Sequence, residues 1–262
     1  MLTWLVATDP SPNHNRACDL HEPQTGTWLI SSPEYEDWVG GSTRFLWLHG
    51  IPGSGKTVLA SFVVENLKQF CKTSALHDTA LAFYYFYFRR EKDEASHLLR
   101  WVIAQLCRQS KSIPNQVREL YDAGVEPTTA NLVTALSAAV RSFNRIYLVL
   151  DALDESSNRP NLLDVLLQVV GDASFKKIRL LALSRKETDI EKALEHISTD
   201  ISLHNHRVDE DIRLFIQNRL CEDRKFSRWP KSLRAEIETA LVKGAKGMYV
   251  LQPVALRYPP FH

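Results

Sequence analysis

The segment GIPGSGKT, residues 50–57, decides the fold, because it matches the pattern G-x-x-x-x-G-K-[ST] at every position. An apolar run over residues 43–50 predicts a buried strand, and apolar residues at helical spacing from Lys56 onward predict a helix after it. A glycine-rich loop in this position turns backbone N–H groups toward phosphate oxygens, and the start of the helix adds its positive end. A turn that binds nothing is the alternative, and the strand–loop–helix context favours phosphate binding.

The residue types of this loop predict how a nucleotide and its metal ion are held. Lys56 is expected to reach the β- and γ-phosphates, and the Thr57 hydroxyl is an expected ligand of Mg²⁺. We therefore predict that the site binds Mg²⁺ together with ATP or ADP. The chain has no N-K-x-D guanine-recognition sequence, which favours ATP, but GTP remains an alternative nucleotide. The predicted nucleotide-binding residues are Gly50, Ile51, Pro52, Gly53, Ser54, Gly55, Lys56, Thr57 and Val58.

A second motif, RIYLVLDALDESS at residues 145–157, places three carboxylates just past a predicted buried strand at residues 146–150. Carboxylates this close together repel unless a cation lies among them. Asp151 follows the strand where P-loop NTPases have the aspartate that holds Mg²⁺. Asp154 and Glu155 are then expected to orient or deprotonate an attacking water. A solvated turn or a helix cap is the alternative for this acidic pair.

Two arginine-containing strand ends are further candidates for contact with the phosphates. LALSR ends another predicted strand, so Ser184 and Arg185 are expected at the edge of the sheet where ligands bind. An arginine there can contact a γ-phosphate, and an ordinary exposed arginine is the alternative. Arg89 and Arg90 in FYFRRE could supply an arginine finger, but a solvated strand end is the preferred interpretation.

The remaining apolar pattern predicts the fold class. Continuous apolar runs indicate strands at residues 80–88, 178–184 and 200–204. Helical spacing indicates helices at residues 97–109, 130–143, 160–170, 208–220 and 231–242, and another that starts near Ser32 and Pro33. Buried strands separated by amphipathic helices predict an α/β fold with three layers. We expect a P-loop NTPase with a mostly parallel five-stranded sheet, followed by a partial helical domain.

The composition of the 262-residue chain narrows the class of partners. A net charge of +1 and 24% charged residues give no field that favours nucleic acid or an anionic membrane. The apolar run at residues 80–88 is much shorter than the ~20 residues of a membrane helix. The four cysteines are widely spaced and predict no disulfide framework, so we expect the cytosol or nucleus, with a cytoplasmic location preferred.

One group of potential metal ligands lies near the amino terminus. His14, Cys18 and His21 are close in sequence. A structural zinc site needs a fourth ligand and usually a pair of neighbouring cysteines. We therefore predict no zinc site there.

The motifs together resemble a known family. LHGIPGSGKT, YLVLDALDE and LLALSR, in this order and spacing, resemble the NACHT-domain NTPases of the STAND class, particularly the fungal branch with a nephrocystin-like nucleotide-binding domain. TGTWLISSPEYEDWV resembles the lead-in segment of that branch, and KGMYV at residues 246–250 resembles its helical-domain signature. The resemblance covers roughly residues 3–250.

The resemblance implies a domain organisation and residue roles. It implies a lead-in at residues 1–42, a nucleotide-binding domain at residues 43–206 and a helical domain at residues 207–262. We expect that last domain to be truncated, with its apolar helix faces left largely uncovered, because LQPVALRYPPFH replaces the expected helix after Val250. By family position, Lys56 and Thr57 bind phosphate and Mg²⁺, Asp151 binds Mg²⁺, Asp154 and Glu155 are the downstream acidic pair, and Arg185 is the sensor arginine.

The function that the resemblance implies is a nucleotide-dependent signalling switch. Such proteins bind Mg-ATP or GTP and hydrolyse it slowly to control self-association, here as a homo-oligomer, and the output of an effector that the sequence does not identify. A dedicated AAA+-like ATPase is one alternative, although such motors usually have glutamate where Ala152 follows Asp151. A module that holds nucleotide without turnover is another, and a small-molecule kinase is the weakest.

Overall fold

The strands form one sheet in which every pairing is parallel. The computed structural model describes residues 2–6, 9–73, 78–87, 93–223, 225–226, 228–245 and 247–249. Within them the sheet order is β2-β3-β4-β1-β5. The predicted five-stranded sheet is therefore confirmed, with β1 between β4 and β5. The strands are β1 (Phe45–His49), β2 (Thr79–Tyr85), β3 (Arg145–Asp151), β4 (Ile178–Ser184) and β5 (Thr199–Ser202).

Helices connect the strands and cover both faces of the sheet. They are α1 (Leu2–Leu5), α2 (Ser11–Asp19), α3 (Thr27–Ile30), α4 (Pro33–Gly40), α5 (Lys56–Thr73), α6 (Glu94–Gln109), α7 (Asn115–Asp122), α8 (Thr129–Val140), α9 (Arg159–Gly171), α10 (Thr188–Leu194), α11 (His206–Glu222) and α12 (Lys231–Ala245). The predicted helices are present, with ends that differ by a few residues. Five short ones, α1, α2, α3, α7 and α10, were not predicted, because four to nine residues hold too few apolar repeats to establish a period.

The side chains of β3 show why the fold has three layers. Ile146, Leu148 and Leu150 lie in a core cluster with residues of α6 and α8. Tyr147 and Val149 belong to a second cluster with residues of α5 and α11 on the opposite face. A strand that alternates between two apolar clusters must be covered on both faces. The helices on the two faces therefore form the outer layers around the sheet.

The lead-in segment is part of the core of the protein. Ser32 caps α4 by accepting a hydrogen bond from the backbone N–H of Tyr35, as the sequence predicts. Trp38 on that helix is fully buried, and its indole N–H donates to the carbonyl oxygen of Leu180 in β4 at 2.9 Å. This hydrogen bond therefore connects the lead-in to the same sheet that carries the phosphate-binding loop.

The helical segment after β5 packs onto the sheet domain. The apolar face of α11, formed by Val208, Ile212, Ile216 and Leu220, is at most 3% exposed and belongs to the second core cluster. The expectation of an uncovered face is therefore wrong for α11, whose cluster also includes residues of α5 and the lead-in. Ile237, Leu241 and Val242 of α12 are only partly buried against that cluster. No helix in the described part of the chain is long and apolar enough to cross a membrane.

Candidate nucleotide-binding site

The phosphate-binding loop has the predicted strand–loop–helix setting. β1 ends at His49 and α5 begins at Lys56. Gly53 and Gly55 have φ angles of 77° and 82°, in the left-handed region that side chains disfavour. The backbone N–H of Gly50 donates to the carbonyl oxygen of Ser184 at 3.2 Å, which joins the start of the loop to the end of β4. The loop is thus anchored to the strand that leads to Arg185.

Lys56 lies over the loop that it follows. Its ammonium donates to the carbonyl oxygens of Gly50 and Ile51, each at 2.8 Å. Burial lowers the pKa of Lys56, and the carboxylates of Asp154 and Asp151 oppose that shift. The two carbonyl acceptors are neutral, so a phosphate anion would compete with them for the ammonium.

Asp151 is the buried carboxylate of the site. It is the last residue of β3 rather than the first beyond it, because its backbone pairs with Tyr85 of β2. It is 2% exposed, and its Oδ1 atom has no hydrogen-bond partner among the described residues. Burial raises the pKa of Asp151 to about 7, against a hydrogen bond from Thr57 and the charge of Lys56. An unpaired carboxylate oxygen beside a threonine hydroxyl fits the donor set that Mg²⁺ prefers.

Asp154 and Arg185 form an ion pair at the edge of the sheet. The Nε atom of Arg185 lies 3.0 Å from Oδ2 of Asp154, and the backbone N–H of Arg185 donates to Oδ1 at 2.9 Å. The side chain of Asp154 is 6% exposed and that of Arg185 is 46% exposed. The structure therefore places the first candidate for water activation in contact with the candidate sensor arginine. Glu155 is half-buried beside them.

Most of the predicted site residues line one cavity of about 270 Å³, but Gly50, Ile51 and Ser54 do not. Ala152 also lines it and was not predicted; its φ of 61° and ψ of 47° are left-handed, which is uncommon for a residue with a side chain. Arg89 and Arg90 lie outside the described residues. The lining residues are Pro52, Gly53, Gly55, Lys56, Thr57, Val58, Asp151, Ala152, Asp154, Glu155 and Arg185.

A second cavity of about 320 Å³ adjoins the first at the phosphate-binding loop. Gly53, Gly55 and Val58 line both cavities. The backbone N–H of Tyr249 donates to the carbonyl oxygen of Gly53 at 2.8 Å, and the Tyr249 side chain also lines the second cavity. Lys246 and Val250, the ends of the KGMYV motif, lie outside the described residues.

The walls of this second cavity come from three parts of the chain that sequence analysis did not connect. They are the lead-in, the phosphate-binding loop, and the segment from β5 through α11 to Tyr249. Much of the lining is apolar, as is common in pockets that hold a flat ring. The residues other than those of the loop are Leu20, His21, Glu22, Thr25, Gly26, Trp28, Leu59, Leu203, Val208, Asp211, Phe215, Arg219 and Tyr249.

The amino-terminal group of potential metal ligands has a different membership from the one considered in the sequence. His14, Cys18 and Glu65 offer atoms that lie within 4.8 Å of one another, whereas the His21 ring donates to the carbonyl oxygen of Thr25. The ammonium of Lys68 lies 2.7 Å from Glu65 Oε1 and 3.2 Å from His14 Nε2. A cation is thus already part of this group, and it pairs with the Glu65 carboxylate.

Comparison with known proteins gives the family. Residues 24–185 match the family described as nephrocystin 3, N-terminal. The chain belongs to this family. The match runs from Gln24 in the lead-in to Arg185, so this nephrocystin 3 N-terminal region includes every residue that lines the first cavity.

A curated relative is similar to this chain. Vegetative incompatibility protein HET-E-1 of Podospora anserina is 26% identical over 241 residues, which cover 85% of this chain and 17% of the relative. This chain therefore spans about a sixth of that protein. Together, the family match and the similarity to this relative indicate a NACHT-type nucleotide-binding region.

One solved structure agrees with the three-layer α/β fold. The ORC2 protein of Aeropyrum pernix, in its ADP form, has a TM-score of 0.51 and 16% identity over 85% of this chain and 58% of its own. Cdc6p from Pyrobaculum aerophilum has a TM-score of 0.48 and 16% identity over 81% of this chain and 53% of its own. At these identities the similarity to ORC2 shows the fold alone.

Proposed function

We propose that this chain is a nucleotide-dependent switch that binds Mg-ATP or Mg-ADP, hydrolyses ATP slowly and controls self-association through its nucleotide state. The observation that carries the proposal is the pair of cavities that meet at Gly53, Gly55 and Val58. One cavity gathers the cationic and acidic groups suited to phosphates, and the other is largely apolar. Together they match a nucleotide, whose phosphates are charged and whose base is a flat ring.

The phosphate cavity supplies the groups that hold the triphosphate. Lys56 and the backbone N–H groups of the loop bind and orient the phosphate oxygens. Thr57 and Asp151 would hold Mg²⁺, whose charge offsets that of the phosphates. The Oδ1 atom of Asp151, which has no partner in the described part of the chain, supports this assignment.

The acidic pair and Arg185 are proposed to act on the γ-phosphate and on the attacking water. Asp154 or Glu155 orients or deprotonates the water, and Arg185 contacts the γ-phosphate. In the structure Arg185 pairs with Asp154, so a γ-phosphate would compete with that carboxylate for the guanidinium. Exchange of Arg185 between the two anions would link the presence of ATP to the position of the acidic motif.

The switch depends on contact between the nucleotide site and the helical segment. α11 and Tyr249 form one wall of the second cavity, and Tyr249 also hydrogen-bonds the loop at Gly53. A nucleotide in that cavity would contact both parts of the chain, and ligands shift a conformational equilibrium only through such differential contacts. We place this switch in the cytoplasm, in keeping with four cysteines that are all free thiols.

Two other functions use the same site. A dedicated ATPase would turn over ATP continuously, and Ala152 after Asp151 argues against it because motors usually place glutamate there. A binding module would hold ADP and hydrolyse nothing. Steady-state and single-turnover measurements of ATP hydrolysis separate them: fast steady-state turnover supports the ATPase, and no hydrolysis in a single turnover supports the module.

Sedimentation velocity tests the switch itself. The chain is measured with Mg-ADP, with Mg and a non-hydrolysable ATP analogue, and without nucleotide, and Lys56→Ala serves as the control that should not respond. We expect the analogue to shift the chain toward larger species than ADP does. The same sedimentation profile in all three conditions, with binding confirmed separately, would contradict the switch and leave a binding module.

A further inference from the structure

The carboxylate of Asp211 in α11 is the acidic group that joins the helical segment to the lead-in at the second cavity. Its Oδ2 atom accepts two hydrogen bonds, from the backbone N–H of Gly26 at 2.7 Å and from the indole N–H of Trp28 at 3.0 Å. Asp211 is half-buried and lines the cavity. Both of its hydrogen bonds within the described part of the chain fall on the same oxygen, which leaves Oδ1 as an acceptor.

Most other polar groups of this cavity bond within the protein. The Thr25 hydroxyl donates to the carbonyl oxygen of Glu22, and the His21 ring donates to the carbonyl oxygen of Thr25. The Glu22 carboxylate accepts from the side-chain amide of Asn218 at 2.7 Å. Asp211 therefore combines a fixed orientation, set by two donors on one oxygen, with a second oxygen that accepts no hydrogen bond from the described residues.

The chemistry of that second oxygen defines what it can recognise. A carboxylate oxygen only accepts hydrogen bonds, so its complement on a base is an N–H donor. Purine bases carry such a donor as an exocyclic amino group, at C6 in adenine and at C2 in guanine. Burial raises the pKa of Asp211, and the hydrogen bonds from Gly26 and Trp28 oppose that shift by favouring the anion.

We propose that Asp211 determines base specificity by accepting a hydrogen bond from the exocyclic amino group of a bound purine nucleotide. The proposal rests on the proposed function, because it assigns the second cavity to the base. It adds a residue outside the region matched to the family, which ends at residue 185. It also gives a role to Asp211, which with Glu22 is one of two carboxylates in the largely apolar lining.

Matched nucleotide pairs test the proposal by calorimetric titration of the full chain in the presence of Mg²⁺. ADP is compared with purine riboside diphosphate, which lacks only the amino group at C6. GDP is compared with inosine diphosphate, which lacks only the amino group at C2. For the purine that the wild type binds more tightly, we expect loss of the amino group to weaken binding about tenfold. The pair that responds identifies the base.

The variant Asp211→Asn separates recognition from structure. Gly26 and Trp28 hold the amide oxygen in the place of Oδ2, so the amide NH₂ takes the place of Oδ1 and can only donate. We expect the fold to be kept and the preference for the amino-bearing nucleotide to be lost. Asp209→Asn is the matched control, because it makes the same change at an exposed residue of α11 that lines neither cavity, so it should leave the preference unchanged.

The outcomes are distinguishable from failure of the proposed function. If the wild type binds nucleotide but Asp211→Asn keeps the wild-type preference, or if Asp209→Asn removes it, the role of Asp211 is wrong and nucleotide binding stands. If the wild type binds none of the four nucleotides, the proposed function is wrong and the specificity role falls with it.

Discussion

The carboxylate of Asp154 binds Arg185 at two points, through Nε at 3.0 Å and through the backbone N–H at 2.9 Å. The contact joins the turn after β3 to the residue after β4, so it spans the edge of the sheet where the phosphate cavity lies. A group that approaches Arg185 from the cavity must compete with a carboxylate that is already in place. The pair therefore makes the two residues interdependent.

Replacement of Arg185 should affect ATP more than ADP. A guanidinium that contacts the γ-phosphate contributes a charge-assisted hydrogen bond that ADP cannot form, so we expect Arg185→Ala to weaken ATP binding about tenfold. ADP binding should change by less than about twofold. Arg159→Ala is the control, since Arg159 pairs with Asp189 and lines neither cavity. Equal losses of affinity for ATP and ADP would show that Arg185 is an ordinary surface arginine.

The roles of Asp154 and Glu155 can be separated by single-turnover hydrolysis. Asp154→Asn and Glu155→Gln keep the shape of each side chain and remove its charge. We expect Mg-ATP binding to be retained and hydrolysis to slow by about a hundredfold for at least one variant, with Asp154→Asn the first candidate. Wild-type rates for both would show that the acidic pair is structural.

A double variant then shows how Asp154 acts. If Asp154 works only by holding Arg185, the rate of Asp154→Asn combined with Arg185→Ala should equal that of Arg185→Ala alone. If Asp154 acts directly on water, the two losses should multiply. The ion pair in the structure makes this cycle informative, because the residues are in contact and cannot be assumed independent.

The Mg²⁺ dependence of binding tests Asp151. Removal of its charge should weaken the metal site and leave the direct contacts of Lys56 with phosphate intact. We expect Asp151→Asn to bind ADP with nearly the same affinity with Mg²⁺ and with EDTA, whereas the wild type should bind more tightly with Mg²⁺. A variant that still gains affinity from Mg²⁺ as the wild type does would exclude Asp151 as a ligand.

The buried His14 predicts a pH dependence of stability. Burial lowers the pKa of His14 below its ordinary 6.5, so the unfolded chain takes up a proton that the folded chain resists. The free energy of unfolding should therefore fall as the pH drops below about 6.5. Glu65, Lys68, Tyr85 and Cys18 contact or approach the ring, and the Glu65 carboxylate partly offsets the loss.

Denaturant unfolding between pH 5 and 7.5 measures this dependence. His14→Gln should flatten the slope of stability against pH, because glutamine does not titrate. His196→Gln is the control, since the side chain of His196 is 84% exposed. A slope that is unchanged in His14→Gln but flattened in His196→Gln would show that a group other than His14 causes the pH dependence of stability.

The parts of the fold that could be predicted are those fixed by local pattern. The loop at residues 50–57, its flanking strand and helix, and the acidic end of β3 are contiguous in sequence. Parallel strands end at a common edge, so proximity of Asp151 and Arg185 also follows from the fold class. The direct contact between Asp154 and Arg185 does not, because it depends on the turn at Ala152.

The second cavity could not be predicted, because its walls meet only in the folded chain. Gly26 and Asp211 are 185 residues apart in sequence, and Tyr249 reaches the loop from near the end of the described residues. Neither the lead-in nor α11 carries a pattern that indicates its partner. The short helices α2 and α3 have too few turns to be predicted, although they position part of the cavity wall.

Calorimetric titration with Mg-ADP, carried out on the wild type and on Lys56→Ala, shows whether the loop at residues 50–57 binds nucleotide phosphates with Lys56 as the charged contact. We expect saturable binding of one ADP per chain to the wild type, and affinity at least about tenfold weaker for Lys56→Ala. Lys68→Ala, which removes a lysine of the same helix far from the loop, should bind like the wild type. Equal ADP affinity in the wild type and in a folded Lys56→Ala variant, or no binding to the wild type, would contradict the account.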